Sequence, residues 1–471
     1  MNRMLNMLCL LCMVLLGACA EKAEPQQNGN TGTVIPKPEK PKIRTIYISP
    51  GGSDSNAGTS VLFPYQTFDK VLQELRPGDV VYVMPGTYET KGKPVLEMTK
   101  VHSGTEDEPI TIKAYDDMDR PVFVGKGKGV WNTVKISASH VVIDGLELKG
   151  MNESIDSLAA YKCAENHHLD RGGTHDWSAT AEFNTNAISV DGESGKYTVT
   201  NVTVRNCVVH DFPGGGLGAS NCDYITFENN LIYNNAWYTM YACSGISIIN
   251  PVNSDAQTGH KLIIRGNRCF NNMTKIPWYR SDIEGFFKYS DGNGIIIDIN
   301  NKTYEGGPYN ARTLVYNNLS VGNGGSGIHA YSADHVDIIN NTAYFNGRKY
   351  ADGEYAEIYA HGDNDVNIVN NIMYARPGGH CNKAGKADSI IYENNLCYNG
   401  KVFSDPQWFM NGKTADPLFV NPSLDFMRAD FHLKAGTPAI GMGVSKPYMP
   451  SVDIEGNPRG VNMVVGAYSL N

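Results

Sequence analysis

The sequence predicts an all-β chain wound as a single-stranded right-handed parallel β-helix, a solenoid with loop insertions. Apolar, β-rich runs break repeatedly at an asparagine or glycine, as in Ile225-Thr-Phe-Glu-Asn229-Asn230, Leu262-Ile-Ile-Arg-Gly266-Asn267 and Val336-Asp-Ile-Ile-Asn340-Asn341. Between the breaks lies a second run with an apolar residue in one frame: Ile188, Leu217, Ile246, Ile295, Ile328 and Ile358. The two series interleave one to one, with Asn206, Asn229, Gly266, Asn317 and Asn340 falling in the intervals. Each turn of a coil therefore carries one residue of each series. Strands of this kind cannot bury an apolar face alone, so stacked coils must share one continuous core.

At the N-terminus, Arg3 precedes an apolar stretch from Met4 to Leu16 that ends in Leu16-Gly17-Ala18-Cys19. That is too short for a membrane span and reads as an export signal over residues 1–18. Its ending resembles the bacterial lipobox, which implies cleavage before Cys19 and lipid on the Cys19 sulfur. Residues 19–42 are rich in Pro, Gln, Asn, Gly and Lys, too polar to pack, and read as a flexible tether. The expectation is a lipid-anchored protein of the bacterial cell envelope, on the outer membrane or cell surface, with a monomeric β-helix domain over residues 43–471.

Within that domain Phe68, Val71, Leu72 and Leu75 keep helical spacing and predict a helix capping the open end of the solenoid. Three excursions interrupt the repeat: Asn152 to Phe183, Pro251 to His260, and the aromatic-rich Asn272 to Ser290. Such loops usually wall a groove. Beyond Cys19, Cys163, Cys207, Cys222, Cys243, Cys269, Cys381 and Cys397 show no C-x-x-C or zinc spacing. They are expected to be mostly free, with one disulfide left open for an exported protein. The net charge of −9, with no polybasic run, argues against a nucleic-acid partner.

The opening Arg44-Thr-Ile-Tyr-Ile-Ser-Pro-Gly-Gly-Ser-Asp-Ser-Asn-Ala-Gly-Thr59, with Pro64-Tyr-Gln-Thr-Phe68 and Gly78-Asp-Val-Val-Tyr-Val-Met-Pro-Gly-Thr-Tyr88, resembles the pectate-lyase-like family of carbohydrate-active β-helix proteins. The resemblance continues through Asp416-Pro-Leu-Phe-Val-Asn421, Asp430-Phe-His-Leu433 and Gly466-Ala-Tyr468. It implies the fold and a polysaccharide partner. It leaves the reaction open, because this architecture carries lyases, hydrolases, epimerases and inactive binders.

The repeat converts sequence offsets into geometry. Equivalent residues of neighbouring coils lie about 4.8 Å apart, and strand residues alternate between core and outer face. If the aligned apolar residues point inward, one outward column reads Ser189, Gly218, Ser247, Ile296, His329, Tyr359, and another reads Asp191, Ser220, Ile249, Asp298, Tyr331, His361. His329, Tyr331, Asp298 and His361 thus form the candidate catalytic patch, with His329 as the proton-transfer group beside a carboxylate and a phenol. A purely structural ladder of the same residues is the competing reading.

Glycoside hydrolysis needs two carboxylates roughly 5 to 9.5 Å apart. Asp191 and Asp298 are three coils apart, roughly 14 Å, so a hydrolase would pair Asp298 with Asp291, Asp334 or Glu284. That arithmetic tilts the reading to a lyase cleaving a uronate-containing polysaccharide by β-elimination. A glycoside hydrolase on the same groove, or a non-catalytic glycan-binding lipoprotein, is the alternative. Calcium-dependent pectate lyases of this fold show clustered aspartates and a Lys or Arg base, whereas these two columns carry neither. No cofactor is therefore required, and Ca²⁺, through Asp291, is left open. Trp237, Tyr238, Trp278 and Tyr359 are candidate sugar-stacking rings, with packing of Trp237, Tyr238 and Trp278 over the solenoid the equal alternative, and Arg280 and Lys288 are candidate cations from the loops. Glu165, His167, His168, Asp170, His175 and Asp176 read as a solvated polar loop, and His210-Asp211 as a turn-stabilising contact.

Overall fold

Left-handed backbone at one column of residues explains the Asn and Gly breaks. Asn206, Asn229, Gly266, Asn317, Asn340, Asn370 and Asn394 all sit at φ between 53° and 65°, where only Gly and, less readily, Asn settle without steric penalty. Each bends the chain out of one strand and into the next. The computed structural model describes residues 43–169, 180–192, 196–279, 287–301, 308–348, 355–362, 364–383, 385, 389–406 and 408–470. The export signal, Cys19 and the tether lie outside the described residues.

Among the described residues the strands stack into three parallel sheets of 11, 8 and 11 strands, the faces of one right-handed parallel β-helix. The eight-stranded face comprises β1 (Leu96–Met98), β2 (Asn132–Ile136), β3 (Asn186–Asp191), β4 (Leu217–Ser220), β5 (Ile246–Ile249), β6 (Ile295–Asp298), β7 (Ile328–Tyr331) and β8 (Ile358–His361). Its register pairs Ile188 with Leu217, Leu217 with Ile246, Ile246 with Ile295, Ile295 with Ile328, and Ile328 with Ile358, as the repeat predicts. These six residues are at most 1% exposed. Burying each contributes about 1.5–3 kcal/mol.

The helix expected from Phe68 onward is α1 (Phe68–Glu74), N-capped by Thr67, whose side chain accepts from the Lys70 amide at 3.2 Å. Phe68 and Val71 plug the end of the core. A second helix, α2 (Ser157–Leu169), lies in the first insertion, where the polar composition predicts only a loop. Ala160 and Ala164 bury against Tyr238, Met240 and Ile276, so tertiary packing rather than amphipathic patterning sustains it.

From Asn229 onward, the residue after each left-handed corner is an inward asparagine that joins an axial ladder. Nδ2 of Asn230 donates to Oδ1 of Asn267, and the relay continues through Asn318, Asn341 and Asn371 to Asn395, each step at 3.0 Å. A parallel ladder runs Asn235, Asn272, Asn323, Asn346. Its next rung position is Arg376, a donor-only side chain. The acceptor comes instead from Glu357, whose carboxyl takes the Asn346 amide N–H at 2.9 Å and its Nδ2 at 2.6 Å.

A second apolar layer covers the outside of the third face, where Phe419, Phe431, Leu433 and Val465 pack on Phe270, Val321, Tyr344 and Ile372. On the outside of the first face Asp337 is fully buried. It is hydrogen-bonded to His260 Nε2 at 2.7 Å, Arg312 Nε at 2.7 Å and Nη2 at 2.8 Å, and Asn367 Nδ2 at 2.7 Å. Burial pushes its carboxyl up, but these bonds outweigh burial and hold it at about 2. The seven described cysteines are free.

Candidate active site

The outer surface of the eight-stranded face is a shallow groove whose floor changes character along its length. On β3, β4 and β5 the first outward column is Ser189, Gly218, Ser247, as the register requires. These small residues, with Ser220, Ile249, Asn186, Gly215 and Cys243, line a cavity of about 160 Å³. From β6 to β8 the same column holds Ile296, His329 and Tyr359, and the floor rises.

His329 points outward as expected but is not a solvent-facing group, being only 6% exposed. Tyr359 stacks on it with ring centroids 4.8 Å apart and planes at 18°, while Tyr331 and Tyr355 meet it edge-on at 5.7 and 6.4 Å. The sequence could not show this cover, because large side chains on adjoining coils shield one another. Burial, then the neighbouring His361 and Lys383, push the imidazole down to about 3. Both ring nitrogens are shielded and lack a hydrogen-bond partner among the described residues. A neutral imidazole so held is a hydrogen-bonding group awaiting a partner, not the carrier of a proton at neutral pH.

Two carboxyls stand at the two ends of the β6 coil. Asp291, at φ 58°, precedes Gly292 at φ 69°, and the Gly292 amide donates to the Cys243 carbonyl at 2.9 Å, which brings this turn to the cavity rim. Asp291 accepts from Ser290 Oγ at 2.8 Å and Asn293 Nδ2 at 2.9 Å, and its amide donates to the Tyr355 hydroxyl at 3.2 Å. Asp298 pairs in register with Ile249 of the cavity lining and with Tyr331. Its Oδ1 is shielded and has no hydrogen-bond partner among the described residues. Burial, and secondarily the charge of Asp291, push Asp298 up to about 8. Burial also raises Asp291, but its two donors limit the rise to about 6. Near neutrality one carboxyl is protonated and the other ionised, the division of labour that marks acid and base pairs.

His361 stacks on Tyr331 at 5.7 Å, and Tyr331 is 42% exposed at the groove surface. A calcium site gathers six to eight oxygen ligands from carboxylates, carbonyls and water. The register neighbours of Asp298 are Ile249 and Tyr331, and Asp291 is bound to Ser290 and Asn293, so these residues do not fit one. Among the described residues no group of three or more His, Cys, Asp or Glu converges as a metal site.

For Trp237 and Tyr238 the packing alternative holds, not sugar stacking. Tyr238 is buried and Trp237 half-buried in the cluster under α2, with Lys275 Nζ 2.8 Å from the Trp237 ring centroid, so their faces are occupied by protein. Trp278 and Lys288 pair across a two-stranded antiparallel hairpin, Trp278–Tyr279 with Phe287–Lys288. Arg280 and Glu284 lie outside the described residues. Asp334 accepts from Asn364 and Asn301 in a turn. His210 bonds Asp211 at 2.7 Å and Glu147 at 3.3 Å on the third face, the turn contact expected of it.

One groove residue escaped the sequence pattern. A parallel bridge pairs Ala356 with His380, which carries Tyr359 onto Lys383, and the Lys383 ammonium lies 5.3 Å from the Tyr359 ring centroid. The outward column therefore does contain a lysine. The inward residue of that coil is Asn382 rather than an apolar one, so the repeat frame stops one coil short.

The family model described as Pel9A-like, right handed beta helix region, matches residues 46–286, more than half of the chain. The chain belongs to the Pel9A-like β-helix family. The crystal structure of pectate lyase Pel9A superposes with a TM-score of 0.53 at 18% identity, covering 91% of this chain and 96% of that one. By sequence, this Pel9A-like chain is 29% identical over 198 residues to a lacto-N-biosidase of Bifidobacterium longum subsp. longum, covering 36% of this chain and 12% of the relative. It is 29% identical over 130 residues to pectate lyase PEL9 of Emericella nidulans, covering 28% and 24% respectively. The match thus spans a small part of each curated relative. Lyases and a glycosidase stand together among the proteins this Pel9A-like chain resembles.

Proposed function

We propose that the protein is a polysaccharide-active glycoside hydrolase in which Asp298 is the general acid and Asp291 the carboxylate partner. The observation that carries this reading is the pair of carboxyls at the two ends of β6, raised to about 8 and about 6, each next to a residue of the cavity lining: Asp298 is in register with Ile249, and Gly292, beside Asp291, bonds the Cys243 carbonyl. Asp298 in its protonated form donates to the oxygen of the departing sugar. Asp291 in its ionised form attacks the anomeric carbon or takes a proton from the attacking water. Water supplies the hydroxyl that ends on the anomeric carbon, and the proton given by Asp298 ends on the leaving sugar. The unpartnered nitrogens of His329 fit a role in hydrogen-bonding a sugar hydroxyl beside this pair. The lacto-N-biosidase relative supports glycosidase chemistry on such a scaffold.

A β-eliminating lyase is the second reading, favoured by the neutral His329 between the phenols of Tyr331 and Tyr359 and by Lys383 on the same column. It is the weaker one, because an imidazole pushed down to about 3 is a poor base for a carbon-bound proton. A panel of polysaccharides assayed for new reducing ends and for the ultraviolet absorbance of an unsaturated uronate separates the two. Reducing ends without absorbance are expected; absorbance rising with each new end would overturn the hydrolase reading.

A further inference from the structure

The N-terminal end of the solenoid, far from the groove chemistry, carries an apolar turn. Val61, Leu62 and Phe63 are consecutive and all exposed, Leu62 at 78% and Phe63 at 59%, and Ile43 at the start of the domain is exposed as well. Among the described residues no other run of three consecutive large hydrophobics is exposed. Single exposed apolar residues are ordinary, whereas a contiguous apolar tip marks a surface made to be covered. The turn is also rigid. Its Phe63 amide donates to the Ser60 carbonyl at 3.2 Å and the Gly58 amide to the Phe63 carbonyl at 3.0 Å. At its base the Tyr47 amide donates to the Gly58 carbonyl at 2.8 Å and the Tyr65 amide to the Tyr47 carbonyl at 2.9 Å, which fixes the turn to the outer edge of the strand Thr45–Ile48. That strand opens the first sheet, so the turn lies on the outermost layer of the stack. Gly58 sits at φ 68°, and a Cβ there would lie 2.2 Å from the Tyr65 ring, so the chain has one path into the turn.

We propose that the turn Val61-Leu62-Phe63 docks the N-terminal end of the domain on the phospholipid surface to which a lipid on Cys19 would tie the tether. The place where the chain enters the domain singles out this occupant. Residues 19–42 lead into Ile43, two residues before the strand whose edge carries the turn. A flexible segment of that length spans roughly 25–30 Å, so a lipid at its far end would keep the apolar tip at high local concentration beside the bilayer. The chemistry fits lipid. Leu62 and Phe63 are side chains that partition into the acyl boundary, and the two cross-turn bonds satisfy backbone groups that hydrocarbon would otherwise leave unmet. Beside the turn, Tyr47 stacks on Tyr82 with ring centroids 5.6 Å apart, and the exposed Tyr115 meets both edge-on, rings of the kind that settle at the headgroup level. Nearby cations are matched, Arg44 by Asp79, Lys70 by Glu74 and Lys93 by Asp69, so the attraction is apolar rather than ionic. Three side chains are too few to hold the domain without the tether. Docked this way, Asp298 stands five coils above β1, roughly 24 Å farther along the axis, and the groove is clear of the surface.

The test uses the mature-length chain, residues 19–471, held through an N-terminal hexahistidine tag on phosphatidylcholine vesicles that contain a nickel-chelating lipid. The tag stands in for the lipid on Cys19, so the result does not depend on acylation in the host. A Phe63→Trp indole, read as the difference from the unsubstituted chain, reports contact through quenching by acyl-brominated phosphatidylcholine. Val461→Trp, at a side chain 98% exposed in the C-terminal segment, is the control. Quenching is expected for Phe63→Trp and not for Val461→Trp, and it should persist in high salt. Adding Leu62→Asp should lower the ratio of docked to undocked molecules by about tenfold or more, with the melting temperature unchanged. No quenching at Phe63→Trp, equal quenching at both positions, loss of quenching in salt, or indifference to Leu62→Asp overturns the proposal. So does a turn-dependent dimer in sedimentation without lipid contact, which would give this surface to a second copy of the chain.

Discussion

Replacing Asp298 by Asn keeps the shape of the side chain and removes the proton it gives. At pH 7, one unit below about 8, Asp298 is about nine-tenths protonated, and Asp291, one unit above about 6, is about nine-tenths ionised. Roughly four-fifths of the molecules then hold the productive combination. At pH 5 most Asp291 is protonated and at pH 9 most Asp298 is ionised, so turnover should fall to about a tenth at each extreme. The wild-type profile is therefore a bell with limbs near 6 and 8. Asp298→Asn should lower turnover on a natural glycan by about 10² to 10⁴-fold and abolish the alkaline limb. The loss should be much smaller on an aryl glycoside whose leaving group departs without a proton. The assay is reducing-end release across pH 5 to 9 for both substrates, with melting temperature measured in parallel. A flat profile, or wild-type turnover in folded Asp298→Asn, would refute the pairing.

Ile328→Lys should lower the melting temperature severely, since Ile328 is fully buried and an unpaired charge there costs several kcal/mol, whereas Ser247→Lys at the groove floor should unfold near wild type; calorimetry of both checks the register. Asp337, held at about 2, contributes stability that is present above its unfolded value near 3.9 and lost as pH falls toward 2. Acid unfolding should therefore set in at higher pH in wild type than in Asp337→Asn once their neutral-pH stabilities are normalised. Cys19→Ser should move the protein from the membrane fraction to the soluble one without changing turnover; an unmodified, soluble wild-type protein in its host would count against lipidation.

The fold was legible because its determinants are local. A left-handed Asn or Gly at each corner and an apolar residue at each inward position are readable one coil at a time, and register follows from counting. The candidate site was half legible for the same reason. The columns carrying His329, Tyr331, Asp298 and His361 are where the frame puts them. What the frame could not reveal is cover: His329 is sealed by rings from its own coil, from the next coil and from Tyr355. Asp291 lies ahead of the strand, in a turn whose direction depends on backbone angles that sequence does not display. For Trp237 and Tyr238 the choice between sugar stacking and packing could not be read, because α2, without a clear apolar stripe, gave no sign that it would supply their packing partner.

The amide ladders make the solenoid extensible in one direction and closed in the other. Every rung donates toward the next coil and accepts from the one before, so a duplicated coil carrying the same two asparagines could be spliced between existing ones and leave every amide matched. The Glu357 carboxyl, whose two oxygens accept the Asn346 amide N–H and side-chain Nδ2, ends the second relay without leaving a buried N–H₂ group unmet. Lengthening the groove by gene duplication is thus cheap below Glu357. Above it, a new coil would need a different terminator, which fixes where along the axis this protein can grow.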